Sequence, residues 1–224
     1  VSTIYENDEE VREAIISAFD QSTGRGDFLR TILKVGGGVA AAGVGASLLM
    51  PGQIDAASLG LSTKKNKMGV PQSDLDILNY ALTLEHIEAT FYAGVNPMDA
   101  PTRQVAAYVK IVAGHEKAHV DALTAAITKL GGKPVAAKKY KFPKISLGFG
   151  IVVENLGVGA YLGAAPMIMT PAILLTAASI VTVEARHASC WAALNQEMDF
   201  TKGAFDAGIA KDKVVAAVTP FFVM

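Results

Sequence analysis

From residue 71 onward the apolar positions recur every three or four residues, and no alternating pattern competes with that period. Four long helices are predicted. The first runs over about 74–94, with Ser73 as N-cap and Asp76 three residues on as a variant of the capping box. The second opens with Pro101 at its first helical position and closes on Gly131-Gly132 as a C-cap. The third starts near Ser146, and the fourth, introduced by Thr170-Pro171, covers about 171–196. A short last helix, KDKVVAAVT, leads into PFF. One connection, KPVAAKKYKFPK, is basic. Another, GAAPMIMTP, is apolar enough to imply a buried link or a contact surface.

The inward stripes are not purely apolar. In the second helix Val105, Val109, Val112, Glu116, His119, Leu123, Ala126 and Leu130 step by four and three and share a face. In the fourth, Ile173, Ala177, Ile180, Glu184, His187, Trp191 and Leu194 do the same. The first helix aligns Leu75, Leu78, Leu82, Glu85, Ala89 and Tyr92; the third aligns Leu147, Ile151, Glu154, Val158 and Tyr161. Two helices therefore carry an inward Glu-x-x-His, and two carry an inward Glu followed seven residues later by Tyr. The halves repeat at an offset of 68 or 69 residues.

An isolated buried carboxylate is costly or becomes neutral, and four together repel one another. Two divalent cations would neutralise them, with each imidazole filling one coordination position. Other residues read less sharply. Glu88, one helical step from Glu85, replaces or supplements it as a ligand in an alternative assignment. His86 and His115 fall off the stripes and read as surface residues, and Cys190 as a small buried hydrophobe. Tyr92 and Tyr161 serve as hydrogen-bond donors to bridging carboxylates, as electron relays or as plain packing. Gly148, Gly150, Gly157 and Gly159 lower the propensity of the third helix and imply close helix approach.

The first seventy residues are of another kind. Residues 1–24 form an acidic tail, 25–52 a signal-like or anchoring hydrophobic helix, and 53–70 a linker. Arg25, Arg30 and Lys34 precede an uncharged run from Val35 to Met50, the layout of an export signal. GRGDFLR resembles a twin-arginine signal, with Gly26 where the second arginine would stand. The expectation is an uncleaved segment that tethers the protein through residues 31–50, with the basic end in the cytoplasm and the remainder in the periplasm or cell envelope. A helix packed on a partner or on its own domain is the alternative.

Composition narrows the picture further. The 224 residues carry a net charge of −1 and no basic stripe interleaved with aromatics, which gives no case for nucleic acid. A single cysteine excludes an internal disulfide and a cysteine-based zinc site. A hydrophobic share of 51% and a mean hydropathy of +0.33 call for a large core, a membrane segment, or both.

LNYALTLEHIEATFY, AGHEKAHVDAL, VVENLGVGAYLGAAP and IVTVEARHASCW resemble the ferritin-like domain family that includes exported bacterial and plant desiccation-related proteins. The resemblance covers about residues 71–224 and implies an all-α, ferritin-like four-helix bundle with a short C-terminal helix. It further implies two divalent metal ions, iron as the leading choice and manganese as the alternative. Glu85 and Glu154 would be terminal ligands, Glu116 and Glu184 bridging carboxylates, and His119 and His187 terminal imidazoles. The expected activity is on dioxygen or peroxide: ferroxidase, peroxidase or manganese-catalase-like chemistry in protection against oxidative stress. Two alternatives stand beside it. One is a non-enzymatic structural or stress-protective subunit of a cell-envelope assembly, with a metal staple or a vestigial site; in either case the expected partners are envelope proteins or further copies in a homo-oligomer. The other is a membrane protein in which residues 145–185 form a hairpin.

Overall fold

Helix ends explain most of the architecture. The computed structural model describes residues 62, 64–143, 146–197 and 204–223. The acidic tail at 1–24, the hydrophobic segment at 25–52 and the first part of the linker lie outside the described residues. The helices are α1 (Gln72–Ala93), α2 (Arg103–Lys129), α3 (Leu147–Ala164), α4 (Pro171–Leu194) and the short α5 (Lys211–Val218). Among the described residues no strand forms; two isolated bridges join Lys65 to Pro71 and Tyr140 to Phe222.

The start of α1 differs from expectation. Pro71 holds the N-cap position, and Ser73 lies buried inside the first turn with its hydroxyl unpartnered. Asp76 accepts instead from the Gln72 side-chain amide at 2.8 Å, so the capping box does not form. The adjacent Asp74 is fully buried and reaches across the bundle, accepting from the backbone N–H of Met169 at 2.9 Å and of Thr170 at 2.7 Å. One carboxylate thus sits in the first turn of α1 and ties down the entry to α4, where exposed N–H groups favour negative charge. The apolar loop held by this contact is only partly buried, with Ile168 1% exposed but Pro166 and Pro171 exposed.

At α2 the cap is Thr102, whose hydroxyl accepts from Val105 N at 3.1 Å; Pro101 stands one residue outside rather than at the first helical position. A hydroxyl can accept an orphan N–H and proline cannot, which decides the boundary. The other end matches expectation. Gly131 takes a φ of +75°, its N–H bonds Thr128 O at 3.0 Å, and Gly132 N–H bonds Ile127 O at 2.9 Å. This double closure needs a left-handed residue, hence glycine. Ser146 caps α3 through Phe149 N at 3.1 Å, and Pro171 follows the Thr170 cap of α4.

α1 packs chiefly on α2, and α3 on α4, so two helical hairpins face each other. Leu75, Leu78, Leu82, Leu123, Ile127, Ile173 and Ile180 fill one end of the bundle. Phe91, Tyr92, Val105, Val109, Val112, Ile151 and Trp191 fill the other. The stripe of α2 ends on Ile127 rather than Ala126 and Leu130, because a helix of 3.6 residues per turn drifts away from a 3.5 repeat. α1 buries a second face as well, where Leu84 and Ile87 meet Val214 and Val218 of α5. The basic loop runs beside the PFF segment, with Lys141 N–H on Phe221 O at 2.8 Å and Val223 N–H on Lys139 O at 3.0 Å. Residues 64–70 fold onto the end of α2, where the Asn66 amide donates to Leu130 O at 2.6 Å.

The glycines of α3 divide by environment. A Cβ on Gly150 would lie 2.7 Å from the Trp191 ring, and one on Gly157 would lie 3.0 Å from Glu88 Oε1. Gly159 faces Ile209 in the segment before α5, and Gly148 faces open space, so close helix approach accounts for Gly150 and Gly157 but not for Gly148. By length and composition α3, with the turn after it (Leu147–Met167), is apolar enough to cross a membrane. Its one charged side chain, Glu154, is fully buried between the helices of the bundle.

Candidate metal centre

Between the two apolar ends lies a polar layer. Glu85 (α1), Glu116 (α2), Glu154 (α3) and Glu184 (α4) are each 0% exposed, with His119 at 9% and His187 at 3%. All six side chains expected on the inward stripes converge. They form two overlapping groups whose ligand atoms lie within 4.8 Å of one another: Glu85, Glu116, His119 and Glu184 in one, and Glu116, Glu154, Glu184 and His187 in the other.

The carboxylate oxygens divide between the groups. His119 Nδ1 faces Glu85 Oε2 at 3.2 Å, Glu116 Oε2 at 3.1 Å and Glu184 Oε1 at 2.9 Å. His187 Nδ1 faces Glu116 Oε1 at 3.1 Å, Glu154 Oε2 at 3.3 Å and Glu184 Oε2 at 3.5 Å. Glu116 and Glu184 each give one oxygen to each group, while Glu85 and Glu154 serve one group each. Several of these contacts have hydrogen-bond distance without hydrogen-bond geometry. Glu116 Oε1, Glu154 Oε2, both oxygens of Glu184 and His187 Nδ1 are buried with no hydrogen-bond partner. Buried orphan atoms of this kind carry a penalty of about 1–3 kcal/mol each, more when charged. Oxygen and imidazole donors pointing at a common centre are what a divalent cation requires, so the residues fit a pair of metal ions.

The tyrosines hold the outer oxygens, crosswise. Tyr161 OH donates to Glu85 Oε1 at 2.5 Å, and Tyr92 OH donates to Glu154 Oε1 while accepting from Trp191 Nε1 at 3.0 Å. They therefore hold Glu85 and Glu154, which serve one group each, and not the shared Glu116 and Glu184. The reason is positional: seven residues past Glu85, Tyr92 points across to α3, and Tyr161 returns the contact to α1.

Electrostatics divide the carboxylates in the same way. Burial raises Glu85 to about 8, opposed by His119 and reinforced by the charges of Glu184 and Glu116. Burial likewise pushes Glu154 well above the carboxylate range. For Glu184 burial is outweighed by His119 and His187, which bring it down to about 2, and Glu116 is lowered for the same reason. Burial disfavours the charged imidazoles, yet the surrounding glutamates raise His119 to about 12 and His187 to about 11. Without metal, the imidazoles are thus pushed toward the protonated form and Glu116 and Glu184 toward the ionised form, so opposite charges face each other.

An open groove between α2 and α4, about 510 Å³, leads from solvent to both imidazoles. Tyr108, Ile111 and His115 line it from α2, and Val183, Arg186 and Cys190 from α4. Cys190 is only half-buried here, not a core residue, because α2 and α4 touch sparsely. Two residues were undervalued by the stripe pattern. His115 is exposed, but its Nδ1 lies 2.9 Å from His187 Nε2 and the rings stack with centroids 5.2 Å apart. His86 meets Val135 O at 3.2 Å and only anchors a loop. Glu88 is a fifth buried glutamate, 4% exposed, and belongs to neither group of ligand atoms. The available signal was the repeat itself. An offset of 69 pairs Glu88 with Gly157, a missing side chain opposite an extra one.

A search among curated proteins finds no match. The family model described as "Ferritin-like domain" matches residues 73–197, more than half of the chain and all of the four long helices but the first residue, Gln72. With that match and a bundle whose four helices each deliver one glutamate to a shared centre, this chain belongs to the ferritin-like domain family.

Proposed function

We propose that this protein is a di-metal oxidoreductase acting on dioxygen or peroxide, with two iron ions as the preferred occupants and manganese as the alternative. One observation carries the reading: Glu116 and Glu184 each present one oxygen to each of two imidazole-topped groups, the geometry of bridging carboxylates. Bound there, two redox-active cations would supply the binding and polarisation of an oxygen species and the electrons that reduce it.

The chain's own residues do the rest. Glu85 and Glu154 would be terminal ligands, oriented by Tyr161 and Tyr92. His119 and His187 would each close one position, on the side of the α2–α4 groove, which admits a small oxidant. The apolar layers above and below exclude bulk water. Export, with a tether at residues 31–50, is part of the same proposal and rests on the signal-like sequence. Work in the envelope against oxidative stress, alone or with partner subunits or further copies, follows from that location.

Purified protein loaded with Fe(II) or Mn(II) is expected to hold about two ions per chain and to consume oxygen or peroxide. Glu116→Ala combined with Glu184→Ala should remove both properties. Absence of metal in the loaded wild-type protein refutes the reading. A second reading has its own support, since the metal-free cluster is already charge-balanced and can act as a buried staple. Metal retention without turnover would favour a metal staple, and a stable fold that holds no metal would favour the proton-balanced one.

A further inference from the structure

The two metal positions are related by the internal repeat, yet one residue breaks the relation on the groove side. His115 precedes Glu116, and the matching residue before Glu184 is Val183. The consequence is visible at the imidazoles. His187 Nδ1 faces the carboxylates, and its Nε2 meets His115 Nδ1 at 2.9 Å. His119 Nδ1 also faces carboxylates, but among the described residues no side chain hydrogen-bonds its Nε2, and the repeat puts the isopropyl group of Val183 at the place of the partner.

We infer that His115 is a positioning residue that makes the two metal positions unequal, with the position of Glu154 and His187 the tighter. The inference rests on the di-metal reading above. The chemistry follows from tautomers. For Nδ1 of His187 to donate a lone pair to a cation, the ring proton must sit on Nε2. His115 then accepts that proton's hydrogen bond at Nδ1 and keeps its own proton on Nε2, toward the groove. An acceptor on the far nitrogen fixes the ligand tautomer and ring angle and increases donation to the metal, and losing such a partner typically lowers metal affinity by roughly 10–100-fold. Stacking of the two rings at an interplanar angle of 13° holds the same orientation. His119 receives no such support, so its position fills second.

The test is stepwise titration of metal-free protein with Co(II), following heat and the visible ligand-field bands. The wild type should bind two ions in two resolved steps. His115→Leu, a change at an exposed position, should weaken the tight step by roughly 10–100-fold and leave the weak step in place. His115→Asn, whose side-chain oxygen can accept at the position of Nδ1, should recover most of the loss. Glu85→Gln should retain the tight, His115-sensitive step, whereas Glu154→Gln should remove it; the helical circular dichroism of each variant checks that it is folded. Two steps that His115→Leu leaves unmoved, or weakens equally, overturn this inference and leave the di-metal reading standing. A wild type that binds no Co(II), Fe(II) or Mn(II) overturns both.

Discussion

Tyr92 does two jobs where Tyr161 does one. Its hydroxyl donates to Glu154 and accepts from the fully buried Trp191 Nε1, while the Tyr161 hydroxyl only donates to Glu85. Tyr92→Phe therefore strands a buried N–H as well as a carboxylate oxygen. The expected loss is about 1–3 kcal/mol, larger than for Tyr161→Phe, measured by urea denaturation of the metal-free proteins. Equal losses would show that the Trp191 contact contributes nothing. Glu88 and His115 show the limit of pattern reading at this scale. Each sits about one helical step from a stripe position, and only the neighbouring helix decides whether such a side chain meets solvent, a glycine or an imidazole.

At the scale of elements, the glycines of α3 give a matched comparison on one helix. Gly148 meets nothing within 4 Å, so Gly148→Ala is expected to stabilise by up to about 1 kcal/mol through helix propensity. A Cβ on Gly163 would lie 2.1 Å from the backbone oxygen of Ile209, so Gly163→Ala should destabilise by about 1–3 kcal/mol and displace the segment before α5. Thermal unfolding of the two variants side by side reads both signs. Asp74 offers a second test between elements. Asp74→Ala removes the acceptor of two N–H groups at the entry to α4, an expected loss of about 1–3 kcal/mol with faster amide exchange at Met169 and Thr170. The Asp74 contact was invisible as a pattern, since an acidic residue in a first turn ordinarily serves its own helix.

For the whole molecule the metal-free cluster sets the pH dependence. Glu85, Glu88 and Glu154 have raised values, and so do His119 and His187, so all five hold protons more tightly when folded than when unfolded. Their contribution falls as pH rises. For Glu85 the loss runs from the ordinary 4.5 to about 8; for the imidazoles it runs from 6.5 to about 12 and 11. Glu184 acts in the opposite sense, its contribution present above 4.5 and lost as pH falls through about 2. The Tm of metal-free protein is therefore expected to decline from about pH 5 to about pH 9, and added Mn(II) should raise it most at the alkaline end, where fewer protons must leave. Calorimetry at several pH values checks this, and a flat metal-free profile would remove the cluster as its source.

Sequence by itself determined the helices and the six converging residues. The reason is that a 3.6-residue period is local, and a carboxylate or imidazole on an apolar stripe states its own need for a partner. It also showed the repeat, and with it which glutamates were equivalent. The tertiary structure alone decided how the oxygens divide, with Glu116 and Glu184 shared and Glu85 and Glu154 held by the opposite helix's tyrosine. It alone placed His115 against His187 and Glu88 against Gly157. Those are contacts between residues far apart in the chain, fixed by how two hairpins pack, and no periodicity within one helix encodes them.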